Sequence, residues 1–131
     1  MSRSWVYTTM TGDSGLVTAT PGGIHQSRSI KEVPALKPYI MYRYLADTPR
    51  LRGDDSDRTG QRSFMVMVHD VPGSYVRIDS VLALVKALFS DVDSPADDVI
   101  RCTWTDTSED FSDEAMGTIL KWHRFRYQYK L

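Results

Sequence analysis

The stretch Gln61-Arg-Ser-Phe-Met-Val-Met-Val-His-Asp-Val-Pro-Gly-Ser-Tyr-Val-Arg-Ile-Asp-Ser-Val-Leu-Ala-Leu-Val-Lys-Ala-Leu-Phe89 decides the fold. Its first part holds five consecutive apolar residues, Phe64 to Val68, between polar ends. That length and β-branched content predict a strand covered on both faces. Val71-Pro-Gly-Ser74 breaks it, because proline lacks a ladder donor and glycine permits turn dihedrals. Beyond the break, Ile78, Val81, Leu82, Val85 and Leu88 recur at helical spacing, with Arg77, Asp79 and Lys86 between them. This is an amphipathic helix of about four turns, with Ser74 as its expected N-cap. A helix laid back on the sheet that holds its own strand is the expected core.

The rest of the chain supplies more strands and one longer loop. Ser4 to Met10 fits either one or two helical turns or an extended arm, stopped by Gly12. Asp13 to Ala19 reads as a further turn of helix with Asp13 as cap, and Ile24 to Ser27 as a short edge strand. Lys31 to Lys37, interrupted by Pro34 and followed by Pro38, is a connector. Tyr39 to Thr48 alternates, with Ile40, Tyr42, Tyr44 and Ala46 on one side and Arg43 and Asp47 on the other. Pro49 to Gly60 is polar, and its twelve residues read as a long mobile loop joining two strands into an extended hairpin. Ser90 to Asp98 and Asp106 to Glu114 read as acidic loops. Between them Val99 to Thr105 alternates, with Ile100, Cys102 and Trp104 expected inward. The segment after Glu114 is open to helix or strand. From His123 the alternation is plain: His123, Phe125, Tyr127, Tyr129 and Leu131 on one face, Arg124, Arg126, Gln128 and Lys130 on the other. The expected fold class is therefore α+β: a mostly antiparallel sheet of four to five strands with a long hairpin. One main amphipathic helix, plus a short N-terminal helix, packs on one face.

Composition bounds the function. A length of 131 residues suits one domain, 1–131, with a workable core. A net charge of −1, from 16 basic and 17 acidic residues, gives no global field toward nucleic acid or an anionic membrane. A single cysteine, Cys102, excludes an internal disulfide framework and a thiolate-rich metal site. No apolar run approaches the roughly 20 residues of a membrane helix, and the N-terminus lacks a signal-peptide core. The expectation is a soluble, intracellularly made protein without membrane contact.

No motif commits the chain to catalysis. His69-Asp70 is the pair to weigh for metal-dependent hydrolysis, yet His25 and His123 lie at no ligand spacing, and adjacent strand residues face opposite ways. Asp54-Asp55-Ser56-Asp57 begins like a calcium loop but lacks the central glycine and closing glutamate. Cys102, placed inward, behaves as a small inert hydrophobe. There is no glycine-rich phosphate loop, nucleophile elbow or zinc-binding helix motif. The basic face of the last strand, Arg124, Arg126 and Lys130, has its aromatics on the opposite face, whereas single-strand nucleic-acid binders present both together. The expectation is no enzyme, no cofactor and no metal.

Several segments carry a resemblance: Pro38-Tyr-Ile-Met-Tyr-Arg-Tyr44, the hairpin with Gly53-Asp-Asp-Ser-Asp57, Phe64-Met-Val-Met-Val-His-Asp70, the helix start Ser74-Tyr-Val-Arg-Ile-Asp79, Ser108-Glu-Asp-Phe-Ser-Asp113 and the closing basic–aromatic strand. Across residues 21 to 131 the chain resembles the tail terminator (tail completion, minor tail) proteins of long-tailed bacteriophages. It departs at the N-terminus, where that family often carries a fuller first helix.

The resemblance implies a virion protein, assembled in the host cytoplasm, that forms a ring, usually a homohexamer, at the head-proximal end of the tail tube. Such a ring stops tube polymerisation, joins the neck by meeting the stopper or connector of the head, and lets DNA pass its lumen without specific binding. The partners implied are the chain itself, the tail tube protein and the stopper. The expected contact residues are Arg50, Arg52, Asp54, Asp55, Asp57 and Arg58 of the hairpin, with Arg124 and Arg126 of the last strand. Mixed-sign segments such as Arg50 to Arg58 and Asp91 to Asp98 suit the setting of register between subunits. The Asp54–Asp57 or Asp106–Glu114 loop is expected near the lumen or an interface. The alternatives are a head–tail stopper or connector, a small metal-dependent hydrolase using His69 and Asp70, or a nucleic-acid-binding module using Arg124, Arg126 and Lys130.

Overall fold

Two short helices, α1 (Trp5–Thr11) and α2 (Ser14–Ala19), precede β1 (Ile24–Gln26), β2 (Tyr39–Leu51) and β3 (Arg58–Asp70). Helix α3 (Val76–Phe89) follows, then β4 (Val92–Ser94), a 3-10 turn (Pro95–Asp97), β5 (Val99–Thr107), β6 (Phe111–Asp113) and β7 (Thr118–Lys130). The structure, a computed structural model, describes residues 4–26, 34, 36–51, 58–115 and 117–130, with side chains for all of these except 46–51 and 58.

Among the described residues the strands form one sheet of seven, in the order β1-β2-β3-β7-β5-β4, with β6 also on β7. The pairings described are antiparallel except β1 with β2. Strand β7 is the spine: β3 pairs along its whole length on one edge, while β5 and β6 share the other. The sheet thus has more strands than the four to five expected, because β4 and β6 lie inside the two acidic segments read as loops. The hairpin is present, but its strands reach Leu51 and Arg58, so Pro49–Leu51 and Arg58–Gly60 belong to the ladder rather than to a twelve-residue loop.

The α-helices α1, α2 and α3 bury side chains in the same core, against one face of the sheet. Helix α3 inserts Ile78, Val81, Leu82, Val85 and Phe89, α1 inserts Trp5, Val6 and Met10, and α2 inserts Leu16. The sheet answers with Ile40, Tyr42, Phe64, Val66, Val68, Phe125 and Tyr127. Rings interlock at the centre: Trp5 meets Phe89 edge-on at 5.3 Å between centroids and Tyr127 at 5.5 Å, and Phe64 lies 5.1 Å from Phe89. Such pairs add to the burial of large apolar rings. The N-terminal ambiguity resolves to helix, and Asp13 caps α2 by accepting from the Leu16 N–H at 3.0 Å. Ser74 is displaced from its expected place: the N-cap of α3 is Tyr75, while the Ser74 hydroxyl accepts from the Val76 N–H at 3.2 Å. Asp79 in the first turn of α3 and Lys86 in the last complement the helix dipole.

Two further expectations hold only in part. The run Phe64–Val68 is covered by helices on one face only, yet on the other face Met65 is buried and Met67 half-buried. Ile100 is exposed rather than inward, and Trp104, although on the helix side, is 37% exposed, whereas Cys102 is fully buried. The register of β5 against β7 slips between Val99 and Arg101 and again between Trp104 and Asp106. An extra residue at a bulge shifts every later side chain to the opposite face. Cys102 therefore shares the core face with Val99, and Ile100 is the extra residue turned away; Trp104, paired with Phe125, keeps the face of Cys102 but lies at its margin, under Lys86 of α3.

Candidate interface on the open face of the sheet

The face of the sheet opposite the helices is built from the odd positions of β2 as far as Arg43, the odd positions of β3 and the even positions of β7. Register places its rows directly. Met41, Met67 and Trp122 form one row, and Arg43, Met65, Arg124 and Asp106 the next. Ser63, Arg126 and Thr103 follow, then Gln61, Gln128 and Arg101. A one-sided antiparallel sheet ordinarily alternates apolar-in with polar-out. Here the outer face keeps two half-buried methionines and a half-buried tryptophan beside a group of arginines.

The arginines differ in how they are held. The Arg124 guanidinium carbon lies 5.0 Å from the centre of the Trp122 ring, a cation–π contact, and its Nε is 3.5 Å from Asp106 Oδ1. Arg101 lies 3.6 Å from Asp91 Oδ1, and both side chains are largely in solvent, so that pair contributes little. Arg126 is exposed and has no ion-pair partner among the described residues. With Gln61, Thr103 and Gln128, Arg101 and Arg126 line a polar depression of about 250 Å³.

At the Asp70 end, the open face closes over a polar cluster. Tyr39 and His69 are stacked with ring centres 4.9 Å apart, and His69 Nδ1 lies 2.9 Å from Thr118 Oγ1. His69 Nε2 and the Tyr39 hydroxyl are buried without a hydrogen-bond partner among the described residues. Burial pushes the His69 pKa down, against the nearby charge of Asp113, so the ring favours its neutral form. Its sequence neighbour Asp70 points the other way, toward α3, where it accepts from Arg77 Nε at 2.7 Å, Arg77 Nη2, and the Val71 N–H at 2.7 Å. His69 and Asp70 therefore share no site. Among the described residues no three His, Cys, Asp or Glu side chains gather as metal ligands. A depression of about 450 Å³ beside the β3–α3 turn is lined by Asp70, Arg77, Ser74 and Val76, and its two charged groups already neutralise each other.

The eight residues expected at contacts fall into three groups. Arg124 and Arg126 lie on the open face and are joined there by Arg43 and Arg101, which sequence reading did not connect with them. Arg50 and Arg58 are in the hairpin ladder, opposite Thr59 and Leu51. Arg52, Asp54, Asp55 and Asp57 lie outside the described residues. Lys130, the last basic residue of β7, is exposed at its end. Of the acidic segments, Asp106 serves Arg124, and Asp110 lies 3.7 Å from Lys121 Nζ, which also bonds Asp79 on α3 at 2.8 Å. One cation escaped the sequence reading. Arg62 sits on the helix side of β3, between the rings of Tyr44 at 5.5 Å and Tyr129 at 5.1 Å. Its phase with Phe64, Val66 and Val68 was the available signal.

Among the described residues no helix is long and apolar enough to cross a membrane. No protein-family model matches the sequence, and no curated protein does. Among solved structures the chain is similar to one from the virion of a native gene transfer agent particle, with a TM-score of 0.71 and 11% sequence identity. That similarity covers 96% of this chain and 92% of the other, and at this identity it is a likeness of fold.

Proposed function

We propose that this chain is a non-enzymatic structural protein of a phage-like virion, and within that class a tail terminator subunit that forms a ring, a homohexamer, on the head-proximal end of the tail tube. The observation that carries the reading is the near end-to-end fold likeness to a chain of a gene transfer agent virion. The open sheet face supports it, because a ring of identical subunits needs two different mating surfaces on each. In this reading the partners are the chain itself, the tail tube protein and the head-side stopper, and the place of action is the neck of the particle. The net charge of −1 agrees with a lumen that lets DNA pass without gripping phosphate.

Electron microscopy of the protein mixed with its cognate tail tubes tests this. The expected result is rings capping one end of tubes that stop growing. Bare tube ends, with binding instead to the portal-side adaptor, would replace the terminator by a stopper. No association with either would remove the neck from the account.

A further inference from the structure

The depression lined by Gln61, Thr103, Gln128, Arg101 and Arg126 is a carboxylate receptor by composition. Two guanidinium groups and two side-chain amides present planar N–H donors toward one space of about 250 Å³. Arg126 has no ion-pair partner among the described residues, and the exposed 3.6 Å pair with Asp91 leaves Arg101 free to exchange. We propose that this pocket receives the acidic edge Asp93–Asp98 of a second copy of the chain, and that this contact closes the ring. The inference rests on the ring reading above and names the surface through which the ring forms.

Three observations favour a second copy as the occupant. The first is charge complementarity within one chain: Asp93, Asp97 and Asp98 fall within six residues on β4 and the adjoining turn, just past Asp91, whose exposed pair with Arg101 is the contact to be exchanged. Asp93 and Asp98 are exposed. The second is topology. Strand β4 is the last in the sheet order, so the acidic segment stands at an edge while the pocket lies on a face. One subunit therefore carries two unlike surfaces, as a head-to-tail interface requires. The third is level. Ser94 pairs with Val99 and Val99 with Tyr129, while Arg101 pairs with Gln128 and Gln128 with Gln61. Acidic edge and basic pocket thus sit at the same height along the strands. In a cyclic ring, the two mating patches of a subunit must lie at equal height along the axis, a condition these patches meet when the strands run along it.

The test uses two charge reversals, R101E with R126E for the pocket and D93R with D98R for the edge. Each set is made in the full chain and checked by thermal melting against the parent. Each reversed protein alone sets like charges against one another, and rings on tail tubes are expected to fall at least tenfold. An equal mixture of the two restores opposite charge at every interface of an alternating ring, so rings are expected to return. Wild-type rings that persist in both reversed proteins would overturn this contact and leave the ring reading standing. Rings lost singly and not regained in the mixture would also overturn it. Duplex DNA is the remaining probe: rings intact but DNA binding lost in the pocket variant would assign the pocket to nucleic acid. Absence of rings from the wild-type protein on tubes would remove the ring reading, and this inference with it.

Discussion

Removing Arg77 should cost more than neutralising Asp70, although the two form a single pair. The Asp70 side chain is 3% exposed and accepts two guanidinium hydrogen bonds and one from the Val71 N–H, whereas Arg77 is 53% exposed. In Arg77→Ala the carboxylate stays buried with a single donor. Hydrogen bonds to charged groups contribute about 1.5–3 kcal/mol each. Breaking a fully buried pair by deleting one partner costs about 3–5 kcal/mol, and the exposure of Arg77 brings the expected loss to about 2–3 kcal/mol. In Asp70→Asn the amide oxygen still accepts from Val71, and Arg77 turns into water. That loss should be about 1–2 kcal/mol. The double variant should cost little more than Asp70→Asn, which gives a coupling of about 2 kcal/mol.

The pH dependence sharpens the test. Burial alone would raise the Asp70 pKa, but the Arg77 hydrogen bond, the Val71 N–H and the charges of Arg77 and Lys37 outweigh it and hold the carboxyl below its usual range. The unfolded chain then takes up the proton first, so the pair stabilises the fold above the unfolded carboxyl pKa. That stabilisation is lost as pH falls through the lower folded value. Without Arg77 the buried carboxyl protonates at higher pH, so the deficit of Arg77→Ala should be largest near pH 7 and shrink toward about pH 4.5. Denaturant midpoints at those two values measure it. Equal costs for the two single variants, within about 0.5 kcal/mol and independent of pH, would show a solvent-screened surface pair and refute the argument.

Other perturbations probe the core. Trp5, 4% exposed and wedged against Phe89 and Tyr127, should cost about 3–5 kcal/mol as Trp5→Ala, measured by urea denaturation; under 1 kcal/mol would mean that α1 does not seal the core. Burial pushes the Cys102 thiol up to about 12, so an aromatic disulfide reagent near pH 8 should label it only after unfolding. Burial first, then the charges of Lys86 and Lys121, pull the pKa of His123 down to about 4, against a hydrogen bond to the Leu82 backbone and the charge of Asp79. Trp104 Nε1 also donates to its Nδ1 at 3.2 Å. Between about pH 6.5 and about 4 the unfolded chain binds the proton that the folded chain refuses, so stability should fall by ~3 kcal/mol as pH drops through that window. A His123→Gln variant with an unchanged slope over that window would exclude His123 as its source.

What was legible in the sequence tracks how deeply a segment is buried. Phe64–Val68, the Ile78–Phe89 stripe and the alternation from His123 stand out because packing against the helices demands apolar residues at a fixed period. Strands Val92–Ser94 and Phe111–Asp113 are three residues each with mostly exposed or half-buried side chains, so their composition is set by water and reads as loop. The inward assignment of Ile100 failed because a bulge leaves no mark on composition, whereas Trp104 keeps the phase of Cys102 and is exposed only because it lies at the margin of that face.

The candidate site divides along the same line. Arg124 and Arg126 were visible as one basic side of one strand. The convergence of Arg126 with Arg101 and Gln61 depends on register between segments far apart in sequence, which no local pattern encodes. The helix-free face leaves its chemistry open to solvent. Met41, Met67 and Trp122 occupy positions where a sheet that ends at water would place polar side chains. Arg124 lies over Trp122 and shields part of that row, but Arg126 and the neighbouring amides offer donors with nothing in the described chain to accept them in full. As a monomer the Arg126 guanidinium is exposed to water; on the ring reading, carboxylates of a second subunit would exchange that hydration for charge-assisted hydrogen bonds and so add complementarity rather than remove a deficit.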